Sequence, residues 1–121
     1  MKLLFVDDDP DILALAALAL QTIGGFAVMK AGCAETMLAA VEQDTPDAII
    51  LDFELDGVSG PELLAQLRER PELKSQPAIF ITAKADSLKL GDYLKLGVKG
   101  ILKKPFDPHS LSDDVRRLFE S

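Results

Sequence analysis

At four places along this 121-residue chain, polar side chains able to do chemistry stand where an apolar run stops. Asp7, Asp8 and Asp9 follow "KLLFV", Asp52 closes "AIIL", Thr82 closes "AIFI", and Lys103 and Lys104 close "GIL". Neighbouring carboxylates repel one another, and at the mouth of a buried strand they are partly desolvated as well. One aspartate is enough to cap a helix, so the acidic run is either a solvated cap or a place for something cationic. Asp7, Asp8 and Asp52 together suit a small hard cation, and Mg2+ is the natural choice. It prefers oxygen and takes one or two carboxylates, waters and a phosphate. Lys104 adds a point positive charge, and Thr82 a hydroxyl that can hydrogen-bond an oxyanion. A carboxylate nucleophile, a cation and a lysine are what acceptance of a phosphoryl group requires. In-line transfer is mostly positioning and charge neutralisation.

The elements between these residues have to bring them together. Strand-like and helix-like segments alternate without a break. "KLLFV" (Lys2 to Val6) reads as a strand covered on both faces. "DPDILALAALALQTIG" reads as a helix, with Asp9 as N-cap, Pro10 in the first turn and Gly24 past the end. "FAVMKA" and "AETMLAAVEQD" give a second strand and helix, and "DAIILDF" a third strand that stops at an aspartate. The loop "ELDGVSG" leads to a helix from Pro61 through Arg68. "PAIFITA" is a fourth strand, "DSLKLGDYLKLG" a weaker helix with Gly91 inside it, "VKGILKK" a fifth strand and "DPHSLSDDVRRLFE" a last helix. This pattern predicts a doubly wound α/β fold in three layers, a parallel sheet with helices on both faces. In such sheets ligands bind beyond the carboxyl ends of the strands, where the chemistry-bearing residues fall.

Composition narrows the function classes. Apolar residues make up 48% and charged residues 27%, with a formal net charge of -7. That balance is globular and argues against a nucleic-acid or anionic-membrane surface. One cysteine, Cys33, and one histidine, His109, exclude an internal disulfide, a multi-thiolate metal site and a zinc site of paired imidazoles. No apolar stretch is long enough to span a bilayer, and "MKLLFVDDDP" turns acidic too early for a signal peptide, so a cytoplasmic location is expected.

Over its whole length the chain resembles the receiver domain of two-component response regulators. The resemblance is carried by "FVDDDP", "AIILDFELDGVSGPEL", "AIFITAKAD" and "ILKKPF", in order, each at the end of a predicted strand. It implies one receiver domain over residues 1–121, with a central five-stranded parallel sheet in the flavodoxin-like order 2-1-3-4-5. It also implies that Asp52 is the phosphoacceptor and takes a phosphoryl group from a histidine kinase or a histidine phosphotransfer protein. Asp7, Asp8, Asp52 and the backbone carbonyl of Glu54 would form the protein's share of an Mg2+ shell, Asp8 more directly and Asp7 largely through water. Thr82 matches the switch hydroxyl, Ala83 the small residue that leaves access, and Lys104 the lysine before Pro105, across a candidate cis peptide bond. Asp9 is then only a cap. As an enzyme, such a module catalyses only its own phosphorylation and dephosphorylation.

The chain departs from that pattern in two places. Ile101 stands where the family usually has an aromatic switch residue, so the Thr82 half of the relay is expected to persist without the aromatic half. Asp56 replaces a common loop proline and is expected to be solvated. Glu54 and Lys84, two residues beyond Asp52 and Thr82, occupy positions that in the family modulate loss of the phosphoryl group; their opposite charges could pair across the mouth. Lys103 is expected to be solvated, Cys33 to be a small packing residue, Tyr93 and Phe106 to pack or to face a partner, and His109 to cap the last helix. The partner face would comprise the helix from Asp86 to Leu96, the strand Val98 to Leu102 and the last helix. It would serve a downstream protein or a fused output domain, and a phosphorylation-dependent dimer is one form that output could take.

Three other readings compete. A haloacid-dehalogenase-like phosphatase shares the strand-end Asp nucleophile and Mg2+, and Glu54 loosely imitates its second acid. That class needs a larger fold, and here the acidic pair precedes the nucleophile. An FMN binder would want a hydroxyl- and glycine-rich phosphate loop where this chain has carboxylates. A pseudo-receiver would keep the fold and bind partners without phosphorylation. The chain stops just after the last helix, which fits either a stand-alone receiver or a domain cut from something longer.

Overall fold

In a computed structural model of the chain, residues 1–55 and 57–120 are described. Asp56, expected as a solvated loop residue, lies outside them. Five parallel strands form one sheet: β1 (Lys2–Val6), β2 (Ala27–Ala31), β3 (Ala48–Asp52), β4 (Ala78–Thr82) and β5 (Val98–Lys103). Their spatial order is β2-β1-β3-β4-β5, so the doubly wound fold with its flavodoxin-like order is present. Every residue of β3 and β4 is buried. Both are central strands covered on two faces, which is why they read as unbroken apolar runs rather than alternating ones.

Alternate residues of the strands feed two cores. Leu3, Phe5, Ala48, Ile50 and Ile81 pack with Ala16 and Leu20 of helix α1 (Pro10–Thr22) and with Leu111 and Val115 of α4 (Leu111–Glu120). Leu4, Val6, Ile49, Leu51 and Phe80 face the other way. They pack with Met37 and Val41 of α2 (Ala34–Gln43) and with Leu63, Leu64 and Leu67 of α3 (Gly60–Arg68). Burying one such Leu, Ile or Phe contributes about 1.5–3 kcal/mol, so each layer is held by its own apolar stripe. Asp9 caps α1 as expected, its Oδ1 accepting from Asp11 N at 2.9 Å and Ile12 N at 3.3 Å.

Two stretches differ from the sequence expectation. The loop after β3 carries a small antiparallel ladder, Glu54–Leu55 against Val58–Ser59. The fourth helical segment is not α-helical: it consists of 3-10 turns at Ala85–Ser87 and Leu90–Leu96, with Leu88 extended between them. The burial pattern accounts for this. Within Leu90–Leu96 only Tyr93 and Leu96 are half-buried. A spacing of three residues puts them on one face when there are three residues per turn, and Gly91 offers little α-helical preference.

The segment ends at Gly97, whose φ of 78° no side chain adopts comfortably. Arg68, at the end of α3, reaches across to it. Its Nε and Nη2 donate to Leu96 O at 3.0 and 2.8 Å, and its Nη1 donates to Leu73 O at 2.6 Å. A Cβ at position 97 would lie 2.7 Å from Arg68 Nη2 and displace the guanidinium, so the left-handed backbone is what calls for glycine and the arginine is what a side chain would disturb.

Two minor expectations change. Cys33 is exposed at the start of α2, not packed. Thr36 Oγ1 there accepts from Gly32 N and Cys33 N, which makes it the organiser of that helix start. Among the described residues no side-chain bond from His109 caps α4; the Asp107 carboxylate accepts from His109 N at 2.9 Å and shapes the turn before that helix. Phe106 packs against the α1–α4 core.

Candidate functional site

The carboxyl ends of β1, β3, β4 and β5 meet at one mouth. Asp7 is fully buried there, Asp52 is 5% exposed and Thr82 4% exposed; burying this much polar surface at one place needs compensation. Lys104 supplies it. Its Nζ lies 2.7 Å from Asp7 Oδ2 and 2.9 Å from Asp52 Oδ2. The lysine is aimed by its own backbone: Lys104 N donates to Thr82 O at 2.9 Å, extending the β4–β5 ladder. The peptide bond from Lys104 to Pro105 is cis, as the motif suggested.

Each remaining lone pair has a local reason. Asp9 N donates to Asp7 Oδ1 at 2.9 Å, and Glu54 N donates to Asp52 Oδ1 at 3.2 Å. Asp7 Oδ2 is buried, and the Lys104 ammonium at 2.7 Å is the partner that offsets its charge. Burial pushes the Asp52 carboxyl above its ordinary value, a push that Lys104 and the Glu54 peptide only partly oppose. Burial alone would lower the Lys104 ammonium; its two carboxylate partners outweigh that and hold it above the ordinary lysine value.

Asp7, Asp8 and Asp52 each present a carboxylate oxygen, all within 4.8 Å of one another. An oxygen-only donor set of this kind, three carboxylates converging at one mouth, fits a hard divalent cation. Of the residues read from the sequence, the fold brings Asp7, Asp8, Asp52 and Lys104 into one cluster. Thr82 ends the strand beside β3, where its Oγ1 accepts from Lys84 N at 3.1 Å. Glu54 and Lys84 do pair across the mouth, 3.0 Å apart and both well exposed. Lys103 is exposed and ion-paired with Asp86. Ile101 lies on β5 opposite Phe80, partly buried against the α2–α3 core.

One feature near the site has no clear signature in the sequence. Phe53, directly after Asp52, meets Phe80 edge-on at 5.4 Å and Tyr93 at 5.6 Å, and Phe80 meets Tyr93 at 5.3 Å. The three rings come from a loop, a strand and a 3-10 turn, so no periodicity links them. The only hint is that the chain's single tyrosine sits in an otherwise weak helical stretch.

Comparison with known proteins agrees with this geometry. The family model "Response regulator receiver domain" matches residues 3–116. The chain is 29% identical to chemotaxis protein CheY-3 of Vibrio cholerae, covering 99% of this chain and 92% of that one. It is 34% identical to the transcriptional activator ExaE of Pseudomonas putida over 98% of this chain, but spans only 55% of that protein. Among solved structures, the chemotaxis response regulator CheY4 of Vibrio cholerae superposes with a TM-score of 0.85 at 28% identity, over 97% of both chains. The receiver domain of the hybrid histidine kinase CckA gives a TM-score of 0.77 at 29% identity, covering 98% of this chain and 99% of that one. The strand order, the strand-end cluster and these matches agree: the chain belongs to the receiver-domain family of response regulators.

Proposed function

We propose that residues 1–121 act as one phosphorylatable switch, with Asp52 as the acceptor. The observation that carries this reading is Lys104 Nζ held between the buried carboxylates of Asp7 and Asp52. Asp52 Oδ2 attacks the phosphorus of a phosphohistidine; the P–N bond breaks, its electron pair stays on the imidazole nitrogen, and that nitrogen takes a proton. The product is an acyl phosphate on Asp52. Lys104, already aimed at Asp52 Oδ2, neutralises charge on the transferring group. The Thr82 hydroxyl turns from the Lys84 peptide to donate to a phosphoryl oxygen. Asp7, Asp8, Asp52 and the Glu54 carbonyl would hold Mg2+, which would supply positive charge to offset that of the carboxylates and of the incoming phosphoryl group.

Response regulators interact with sensor kinases and output domains. For this chain we assign the donor to a histidine kinase or phosphotransfer protein, and the changed face to the Leu90–Leu96 segment, β5 and α4. No helix among the described residues is long and apolar enough to cross a membrane; a cytoplasmic site of action is part of the proposal. The test is intact mass after incubation with Mg2+ and acetyl phosphate. One phosphoryl group should be gained by the wild type, none by Asp52→Asn, and none after chelation of the metal. An equal gain in Asp52→Asn would refute the assignment.

A further inference from the structure

The residues expected to change state at the mouth are Asp52, which takes the phosphoryl group, and Thr82, whose hydroxyl meets it. Each has an aromatic neighbour on the same stretch of backbone. Phe53 follows Asp52, with its peptide fixed on both sides: Phe53 N donates to Ile81 O at 2.9 Å and Gly60 N donates to Phe53 O at 2.6 Å. Phe80 precedes Thr82 by two residues on β4 and so points to the same side of the sheet. Both rings converge on one partner, Tyr93.

Tyr93 is the middle of the Leu90–Leu96 turn, an element with no fully buried residue. Its C-terminal end is tied by Arg68 to Leu96 O. Its central hold on the core is the Tyr93 ring. The run covers seven residues, longer than 3-10 geometry usually sustains, because its hydrogen bonds are poorer than those of an α-helix. On its outer side it shows Leu90, 36% exposed, and Leu94, 60% exposed. At the register position opposite Phe80, Ile101 supplies no ring.

We propose that the Phe53–Phe80–Tyr93 cluster is the conduit by which the state of Asp52 reaches the exposed Leu90–Leu96 segment. Phosphoryl transfer changes the contacts of Asp52 and Thr82. The attached Phe53 and Phe80 rings shift against Tyr93, and the segment re-seats, moving Leu90 and Leu94 at the surface. A state change propagates only where contacts differ between the two states, and the ring edges are where both paths meet. This rests on the acceptor reading above.

The chain has one tyrosine and no tryptophan, so tyrosine emission reports on this ring alone. Beryllofluoride with Mg2+ should change that emission in the wild type, together with amide exchange over 90–96, while acetyl phosphate adds one phosphoryl mass. Tyr93→Phe should keep the exchange response. Tyr93→Leu should still gain the mass yet lose the response. Phe53→Leu, which opens the cluster from its other end and leaves the segment's own sequence intact, should do the same. An unchanged response in both leucine variants would overturn the proposal, as would a silent tyrosine in a wild type that gains the mass. Absence of the mass in the wild type would instead refute the acceptor reading, and the conduit with it.

Discussion

Replacing Lys104 with methionine tests how the site is held together. The ammonium is the shared partner of Asp7 and Asp52, whose side chains are 0% and 7% exposed. Removing it leaves two buried carboxylates with oxygens within 4.8 Å. At an effective dielectric of about 20, two unit charges at that spacing repel by roughly 3.5 kcal/mol. Breaking a buried ion pair by deleting one partner costs about 3–5 kcal/mol, so the two routes agree. Urea unfolding of Lys104→Met at neutral pH in chelator should therefore show a loss of about 3–5 kcal/mol. The loss should shrink as pH falls. The native Asp52 carboxyl, already held up by burial, binds its proton before the unfolded chain does, and that favours the native state in acid. Mg2+ should narrow the gap to wild type, because its charge relieves in the variant what Lys104 relieves in the parent. A loss under about 1 kcal/mol, the range of an exposed pair, would refute this account, as would one indifferent to both acid and Mg2+.

The same lysine makes an alkaline prediction. Its folded-state value is raised above the ordinary 10.5, so its stabilisation is present below that value and lost as pH rises through the folded one; the gap between wild type and Lys104→Met should close only in strong alkali. Arg68→Met removes charged donors from two carbonyls, Leu96 O and Leu73 O. At about 1.5–3 kcal/mol per charged hydrogen bond, less the relief of a guanidinium that burial disfavours, the variant should lose about 3 kcal/mol in urea, with Arg68→Lys recovering little because one ammonium cannot span both carbonyls. Glu54→Ala should leave stability within about 1 kcal/mol, since its pair with Lys84 is exposed, yet shorten the phosphoryl lifetime measured by mass. An unchanged lifetime would remove any role for that pair as a barrier to water. Gly60→Ala should destabilise the loop after Asp52, because a Cβ there would lie 2.8 Å from Asp52 O; equal urea midpoints would count against that crowding.

The sequence revealed the fold class because β1, β3 and β4 are buried on both faces and show it as continuous apolar runs. It revealed the cluster of Asp7, Asp8, Asp52 and Lys104 because strand ends in a parallel sheet converge at one edge. The Glu54–Lys84 pair was legible from its equal offset behind Asp52 and Thr82. What was hidden depended on contacts between distant elements. The 3-10 form of Leu90–Leu96 follows from which two residues find the core, which depends on where α3 and β4 lie. Arg68 looked like an ordinary basic residue in the last turn of a helix; nothing local says that it reaches Leu96 O. Cys33 was misjudged as packing because a small apolar residue near a helix start has no periodic partner to reveal its exposure.

The close approach of Arg68 to Gly97 has a consequence for how this sequence can drift. The guanidinium fills the space that a side chain at 97 would take, so the two positions are not free to vary independently. A change at 97 made first would expel the arginine, after which losing the arginine would cost little more. A change at 68 made first would open the space but leave a residue at 97 still asked to hold a left-handed backbone. The two orders pass through intermediates held by different contacts, so the cost of a change at one position depends on which residue stands at the other.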